Sequence, residues 1–226
     1  MYEYKGVKLH WLGHDAFWIE AKGKNIFLDP YKISKTDLPS ADIIITSHEH
    51  FDHCNADEIN KLASDQTILI GPKITQDILT GKITRKKEVK ELNPGEKIIV
   101  DDIEISAIPA YNTHRFREPG KPFHPKESGH IGVILNLDGV KIYHAGDTDL
   151  IDEMKSFTDL DVALVPVGDT YTMGFEAAAE ACAVMKPKIC VPMHDWDKDL
   201  EPFAKLVKEK APDVKVEILK GKDLTL

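Results

Sequence analysis

The chain has 226 residues, 42% of them hydrophobic, which is enough to bury one sizeable core, and no compositional break marks a linker between two. Its formal net charge of −9 argues against a protein that grips nucleic acid, since that affinity comes from lysines and arginines displacing counterions from phosphates. The polar start, the lack of any apolar run near the roughly 18 residues that span a bilayer, and three cysteines in no close pair read as one cytoplasmic domain over residues 1–226, with no membrane partner and no stable nucleic-acid partner.

The first 30 residues read as three strands. Val7, Leu9 and Trp11 alternate with Lys8 and His10, the period of a half-buried strand. A Gly13-His14-Asp15 turn leads to Ala16–Ala21, and Lys22-Gly23-Lys24-Asn25 turns into Ile26-Phe27-Leu28. His14 has two readings, a substrate-facing group or a plain turn residue. Asp29 ends its strand before Pro30, where a carboxylate can accept the free N–H of a metal-bound imidazole.

Ile43-Ile44-Ile45 is an unbroken β-branched run, as for a strand covered on both faces. It delivers Ser47-His48-Glu49-His50-Phe51-Asp52-His53. Three imidazoles and a carboxylate in so short a run need something to gather them, because water otherwise solvates each one. A metal ion is that something. His48 and His50, two apart, point to one side of an extended chain, while Asp52 and His53 diverge as the backbone turns, which suits two neighbouring ions. Imidazole with carboxylate fits zinc, and manganese or iron as alternatives. Cys54 reads as a buried thiol rather than a ligand. Asn55-Ala56-Asp57-Glu58 resembles a capping box that opens a helix to about Leu62.

Thr67–Ile70, Ile98–Val100 and Ile103–Ile108 read as strands, with a helical segment near Lys73–Leu79. Residues 112–128 show little sign of regular structure, and loops of that length usually serve function or are disordered. The segment is basic in an acidic protein, so Arg115 and Lys126 are candidates for binding an anionic substrate group. A solvated lid is the competing reading. Ile131–Leu137, an Asp138-Gly139 turn and Val140–Tyr143 form a hairpin that leads to Gly146-Asp147-Thr148. A carboxylate after a glycine at a strand end can approach two cations, and Asp147 is the candidate bridge. His144 reads as packed or as a support for a ligand, and His130 as packed at a strand start. Asp161–Pro166 and Ile189–Pro192 read as inner strands, the second presenting His194. Phe175–Lys186 and Leu200–Lys210 read as helices, and Val214–Leu219 as a closing strand.

The signature at 48–53, with Asp29, Gly146-Asp147-Thr148, His194 and the opening Leu12-Gly13-His14, resembles the metallo-β-lactamase fold superfamily over nearly the whole chain. It looks most like the branch of L-ascorbate-6-phosphate lactonase-like proteins and uncharacterised metal-dependent hydrolases. The resemblance implies an α/β fold, a four-layer αββα sandwich, with a binuclear site along one edge. It places His48 and His50 on one metal, Asp52, His53 and His194 on the other, and Asp147 between them. A third imidazole for the first metal usually follows the strand at 103–108, but Asn112 stands there. Asn112, His114 and His124 are all open as that ligand, with His114 or His124 preferred because an amide oxygen binds zinc weakly.

The implied chemistry is hydrolysis of a small anionic lactone, ester or phosphodiester by a metal-activated hydroxide, with Asp52 accepting or relaying a proton. No G-x-S-x-G serine motif competes. A nuclease, a di-iron redox protein and a binding protein with a vestigial site are the alternatives, and a homo-oligomer is compatible with the sequence.

Overall fold

The computed structural model describes residues 6–157, 159–220 and 223–225. The chain divides into two compact units, Met1–Glu96 with Leu219–Leu226, and Lys97–Ile218.

The first unit is built on a seven-stranded sheet. Its strands in chain order are β1 (Lys8–Gly13), β2 (Ala16–Ala21), β3 (Lys24–Leu28), β4 (Ile43–Ile45), β5 (Ile68–Gly71) and β6 (Glu88–Glu91). The seventh strand, Asp223–Thr225, pairs with β1, and the others follow in sequence order. β1, β2 and β3 are antiparallel neighbours, whereas β3 to β6 run parallel. One residue from each inner strand, Trp18, Phe27, Ile44 and Leu69, packs into a common cluster. The helices α1 (Ala56–Leu62) and α2 (Gln76–Gly81) cover it with Ile59, Leu62 and Leu79. All three isoleucines of β4 are buried, as the uninterrupted run requires. The cap at Asn55 forms, its side chain accepting from the Glu58 N–H at 3.1 Å.

The second unit carries another seven-stranded sheet. It comprises β7 (Lys97–Val100), β8 (Ile103–Pro109), β11 (Ile131–Leu137), β12 (Val140–His144), β13 (Val162–Pro166), β14 (Ile189–Met193) and β15 (Lys215–Val216). The β12, β13, β14 and β15 strands are parallel. The two helices of this unit, α3 (Phe175–Met185) and α4 (Glu201–Lys210), meet through Phe175 and Phe203, ring centroids 5.9 Å apart. α3 stops at Lys186, whose left-handed conformation precedes Pro187.

Three expectations need correction. Residues 112–128 are not irregular: β9 (Phe116–Glu118) and β10 (Lys121–Pro122) form a small hairpin, followed by a short turn of helix at Lys126–Ser128. This hairpin is exposed and charged, so no apolar alternation announces it. The closing strand expected over Val214–Leu219 shrinks to Lys215–Val216 at the sheet edge. β6 is an added strand, its Glu88 and Lys90 hiding it from a reading based on hydrophobic pattern. Among the described residues no helix is long and apolar enough to cross a membrane.

Candidate metal centre

In the first unit, strand register brings three functional segments to one sheet edge. β3 and β4 pair in parallel with Leu28 opposite Ile45, so Asp29 and Ser47 leave their strands side by side. β2 is antiparallel to β3 with Phe17 opposite Leu28, so the β1–β2 turn carrying His14 and Asp15 arrives at the same edge. His14 and Asp29 both adopt the left-handed backbone region, with φ of 51° and 42°. Such conformations cost about 1–3 kcal/mol each and concentrate at functional sites.

Asp29 organises the ligand run. Its Oδ1 accepts the Ser47 N–H at 2.7 Å, and its Oδ2 accepts the Ser47 hydroxyl at 2.5 Å and the His53 Nδ1–H at 2.8 Å. With its proton committed to Asp29, Ser47 Oγ accepts from His48 Nδ1–H at 2.9 Å. Both imidazoles are therefore held in the tautomer that leaves Nε2 with a lone pair. That lone pair on His48 lies 3.0 Å from His50 Nδ1. Two nitrogens on one tetrahedral zinc, each about 2.0–2.1 Å from it, stand about 3.3 Å apart, so the spacing suits a shared ion. His53 Nε2 faces Asp15 Oδ2 at 3.5 Å, and His14 Nε2 faces Asp52 Oδ2 at 3.3 Å. The ligand atoms of His14, Asp52 and His53 all lie within 4.8 Å of one another. A ring nitrogen opposite a carboxylate suits a proton or a metal cation between them.

Cys54 is buried, and burial pushes its thiol up to about 12 against the opposing pull of a hydrogen bond with Thr46. At pH 8 the thiolate fraction is then on the order of one in ten thousand. Native protein is expected to leave Cys54 unalkylated by iodoacetamide at pH 8 over hours, with modification appearing only in denaturant, as read by mass spectrometry.

In the second unit the C-terminal ends of β8, β12, β13 and β14 share an edge, through Ile131 opposite Pro109, His144 opposite Leu164 and Pro166 opposite Met193. Asp147 follows β12, and His194 follows β14 with φ of 51°. Asp147 Oδ2 lies 3.3 Å from His124 Nε2 and 3.5 Å from His194 Nε2, and all three residues are buried. One carboxylate oxygen thus meets two imidazoles at spacings that suit a shared cation.

The three candidates for the further ligand separate clearly in position. Asn112 Oδ1 accepts from the His124 backbone N–H at 2.8 Å and from His124 Nδ1–H at 3.0 Å, while its Nδ2 donates to Tyr171 O at 2.9 Å. Its amide is thus spent on orienting His124, whose Nε2 turns to Asp147. His114 is exposed and bonds to its neighbour Thr113 at 2.7 Å. The Asn112 network predicts that Asn112→Ala weakens divalent-metal binding by about ten- to a hundredfold, the usual effect of losing a group that orients a ligand. Calorimetric zinc titration checks it.

Other sequence candidates fall as follows. His144 is buried at the end of β12 and its Nδ1 accepts the Gly146 N–H at 3.3 Å; His130 is buried just before β11. Arg115 pairs with Asp169 at 2.9 Å and with Asp149 at 3.4 Å. Lys126 pairs with Glu153 at 2.9 Å and sits over the Tyr111 ring. Asp15, Ser47 and Asp149 were not expected to matter. Asp149 Oδ2 accepts the N–H groups of Thr113 and His114, both at 2.7 Å, and so pins the segment that presents His124.

Gly168 is a further support. A Cβ there would stand 2.7 Å from His194 Nδ1 and 2.8 Å from His194 O, distances no real Cβ tolerates. Gly168→Ala is expected to displace His194, cost about 1–3 kcal/mol of stability and lower metal affinity more than tenfold. Thermal unfolding in chelator and a metal titration read the two effects separately.

The beta-lactamase superfamily domain profile matches residues 8–194, which is most of the chain. This chain belongs to the beta-lactamase superfamily. Within that superfamily it is 34% identical to a UPF0173 metal-dependent hydrolase of Archaeoglobus fulgidus, over 95% of this chain and 96% of that one. It is 36% identical to a UPF0173 metal-dependent hydrolase of Pyrococcus furiosus, over 97% of this chain and 100% of the relative. Among solved structures, a putative metal-dependent hydrolase of Parabacteroides distasonis is 31% identical with a TM-score of 0.83, covering 94% of this chain and 92% of that one. The mixed α/β architecture is that of the metallo-β-lactamase fold, as the motifs led one to expect.

Proposed function

We propose that this superfamily member is a metal-dependent hydrolase of small substrates, with both units acting as one domain and a pair of divalent cations, zinc in the first instance, as its cofactor. The observation that carries the reading is the recurrence, in each unit, of oriented imidazole nitrogens 3.0–3.5 Å from another ring nitrogen or a carboxylate oxygen. Membership of a superfamily whose relatives are named metal-dependent hydrolases supports it. The residues that would hold the cations are His48, His50, Asp52 and His53 in the first unit, and His124, Asp147 and His194 in the second. A cation held there supplies Lewis acidity, lowering the pKa of water from about 15.7 toward roughly 7 and polarising a carbonyl or phosphoryl oxygen.

The chain's own groups do the rest. Asp29 and Ser47 hold His48 and His53 in one tautomer, and Asn112 does the same for His124. Asp52 accepts the proton released at attack, and His14, 3.3 Å away, takes it on or returns it to the leaving group. Arg115 contributes anion recognition by exchanging Asp169 for the substrate, a small cost because the Asp169 side chain is 65% exposed.

A screen over lactones, carboxylic esters, thioesters and phosphodiesters, run with and without chelator, tests the proposal. Turnover abolished by chelator and restored by zinc or manganese is the expected result. Turnover that persists after complete metal removal defeats it.

A further inference from the structure

Among the described residues large exposed aromatic side chains are few, and most of them lie beside candidate ligands of their own unit. Of Phe51, Phe116, Tyr171 and Trp196, three touch or adjoin that set. In the second unit Trp196 is 52% exposed and its ring meets that of His194 edge-on, centroids 5.1 Å apart at 85°. Tyr171 follows at 6.3 Å from Trp196, and Phe123, the neighbour of His124, packs edge-on against Tyr171 at 4.8 Å. Tyr171 is also tied to the His124 support, because its carbonyl accepts from Asn112. Within the first unit taken alone, Phe51 lies between His50 and Asp52, is 68% exposed, and meets Tyr31 edge-on at 5.6 Å.

The backbone under Trp196 is held in an uncommon state. His194, Trp196 and Asp197 all adopt left-handed conformations, φ 51°, 50° and 58°. For a bulky residue this is a true outlier, and it persists only where the surroundings impose it. Two bonds do so: Lys198 N–H donates to Asp195 O at 3.0 Å, and Lys198 Nζ donates to Gly168 O at 2.7 Å. Gly168, by lacking a Cβ, also leaves room for the indole, whose Nε1 would otherwise meet that atom at 3.0 Å. The chain thus strains its backbone to present an indole to solvent two residues from a candidate ligand.

We propose that Phe123, Tyr171 and Trp196 form a ledge that recognises a planar, aromatic or conjugated part of the substrate, so that the preferred substrates are aryl-bearing rather than purely aliphatic. This rests on the hydrolase reading for its catalytic meaning. Indole and phenol faces favour offset-stacked or edge-on rings over saturated chains of equal area, and rings already locked against one another lose little freedom on binding. Binding does not require turnover, so the ledge is testable by itself.

The experiment is calorimetric titration of the full chain with 2-naphthoate and with acetate, which share the carboxylate and differ in the ring. The parent protein is expected to bind 2-naphthoate about fivefold to tenfold more tightly than acetate. Trp196→Ala should abolish that preference and leave acetate affinity unchanged, while Trp196→Phe should keep part of it. An undiminished preference in Trp196→Ala, or no preference in the parent, overturns the assignment. So does self-association of the parent that Trp196→Ala removes, which would give the ledge to a second copy of the chain. These titrations, set beside the turnover screen with and without chelator, separate the two proposals. A Trp196-dependent preference without any chelator-sensitive turnover leaves the ledge standing and sinks the hydrolase reading, and turnover with no such preference does the reverse.

Discussion

Asp147→Ala protein, purified without added metal, is expected to hold less than half the divalent metal of the parent and to turn over substrate at least about a hundredfold more slowly. The second figure extrapolates from groups that merely orient ligands, whose loss already costs about ten- to a hundredfold. Asp147 is buried, and its Oδ2 is the oxygen that meets both His124 and His194. A buried carboxylate is costly unless a cation or hydrogen bonds answer it, and the alanine removes that cost together with its purpose. Stability in chelator should therefore change by no more than about 1 kcal/mol, since residues placed for function commonly contribute little to the fold. Elemental analysis, steady-state rates and urea unfolding in chelator read the three quantities.

Asp29→Ala should fail in a different manner. Asp29 accepts three hydrogen bonds, from Ser47 N–H, Ser47 Oγ and His53 Nδ1, all in a buried setting. Each donor left without its acceptor costs about 1–3 kcal/mol, so chelator-treated protein should lose at least about 3 kcal/mol. Metal affinity should also fall by about ten- to a hundredfold, because His48 and His53 are no longer held in one tautomer. Asp29→Asn keeps the shape and an acceptor for Ser47, and should recover most of the stability but less of the affinity. Urea unfolding in chelator and zinc titration check both. A variant that lost affinity while unfolding like the parent would place Asp29 among the ligands rather than behind them.

How much of this was legible in the chain depends on the range over which each signal acts. The Ile43–Ile45 run and the Asn55 cap are local signals, and each appears where its residues predict. The role of Asn112 was not legible, since orienting His124 depends on a hydrogen bond across 12 residues that carry an exposed, charged hairpin with no apolar pattern. Asp15 hid for a similar reason. It stands in a Gly-His-Asp turn that looks solvent-exposed, yet it is fully buried beside His53, and only the pairing of β2 with β3 places it there. Likewise Arg115 and Lys126 read as spare cations in a basic segment, whereas Asp149, Asp169 and Glu153, all more than 25 residues away in sequence, engage them.

Direct metal counting probes the heart of the matter. Elemental analysis of the full chain, purified without added metal and again after back-titration with zinc, is expected to give two tightly held divalent ions per chain, falling with Asp147→Ala. Folded protein that binds no divalent ion at any zinc concentration used would contradict it.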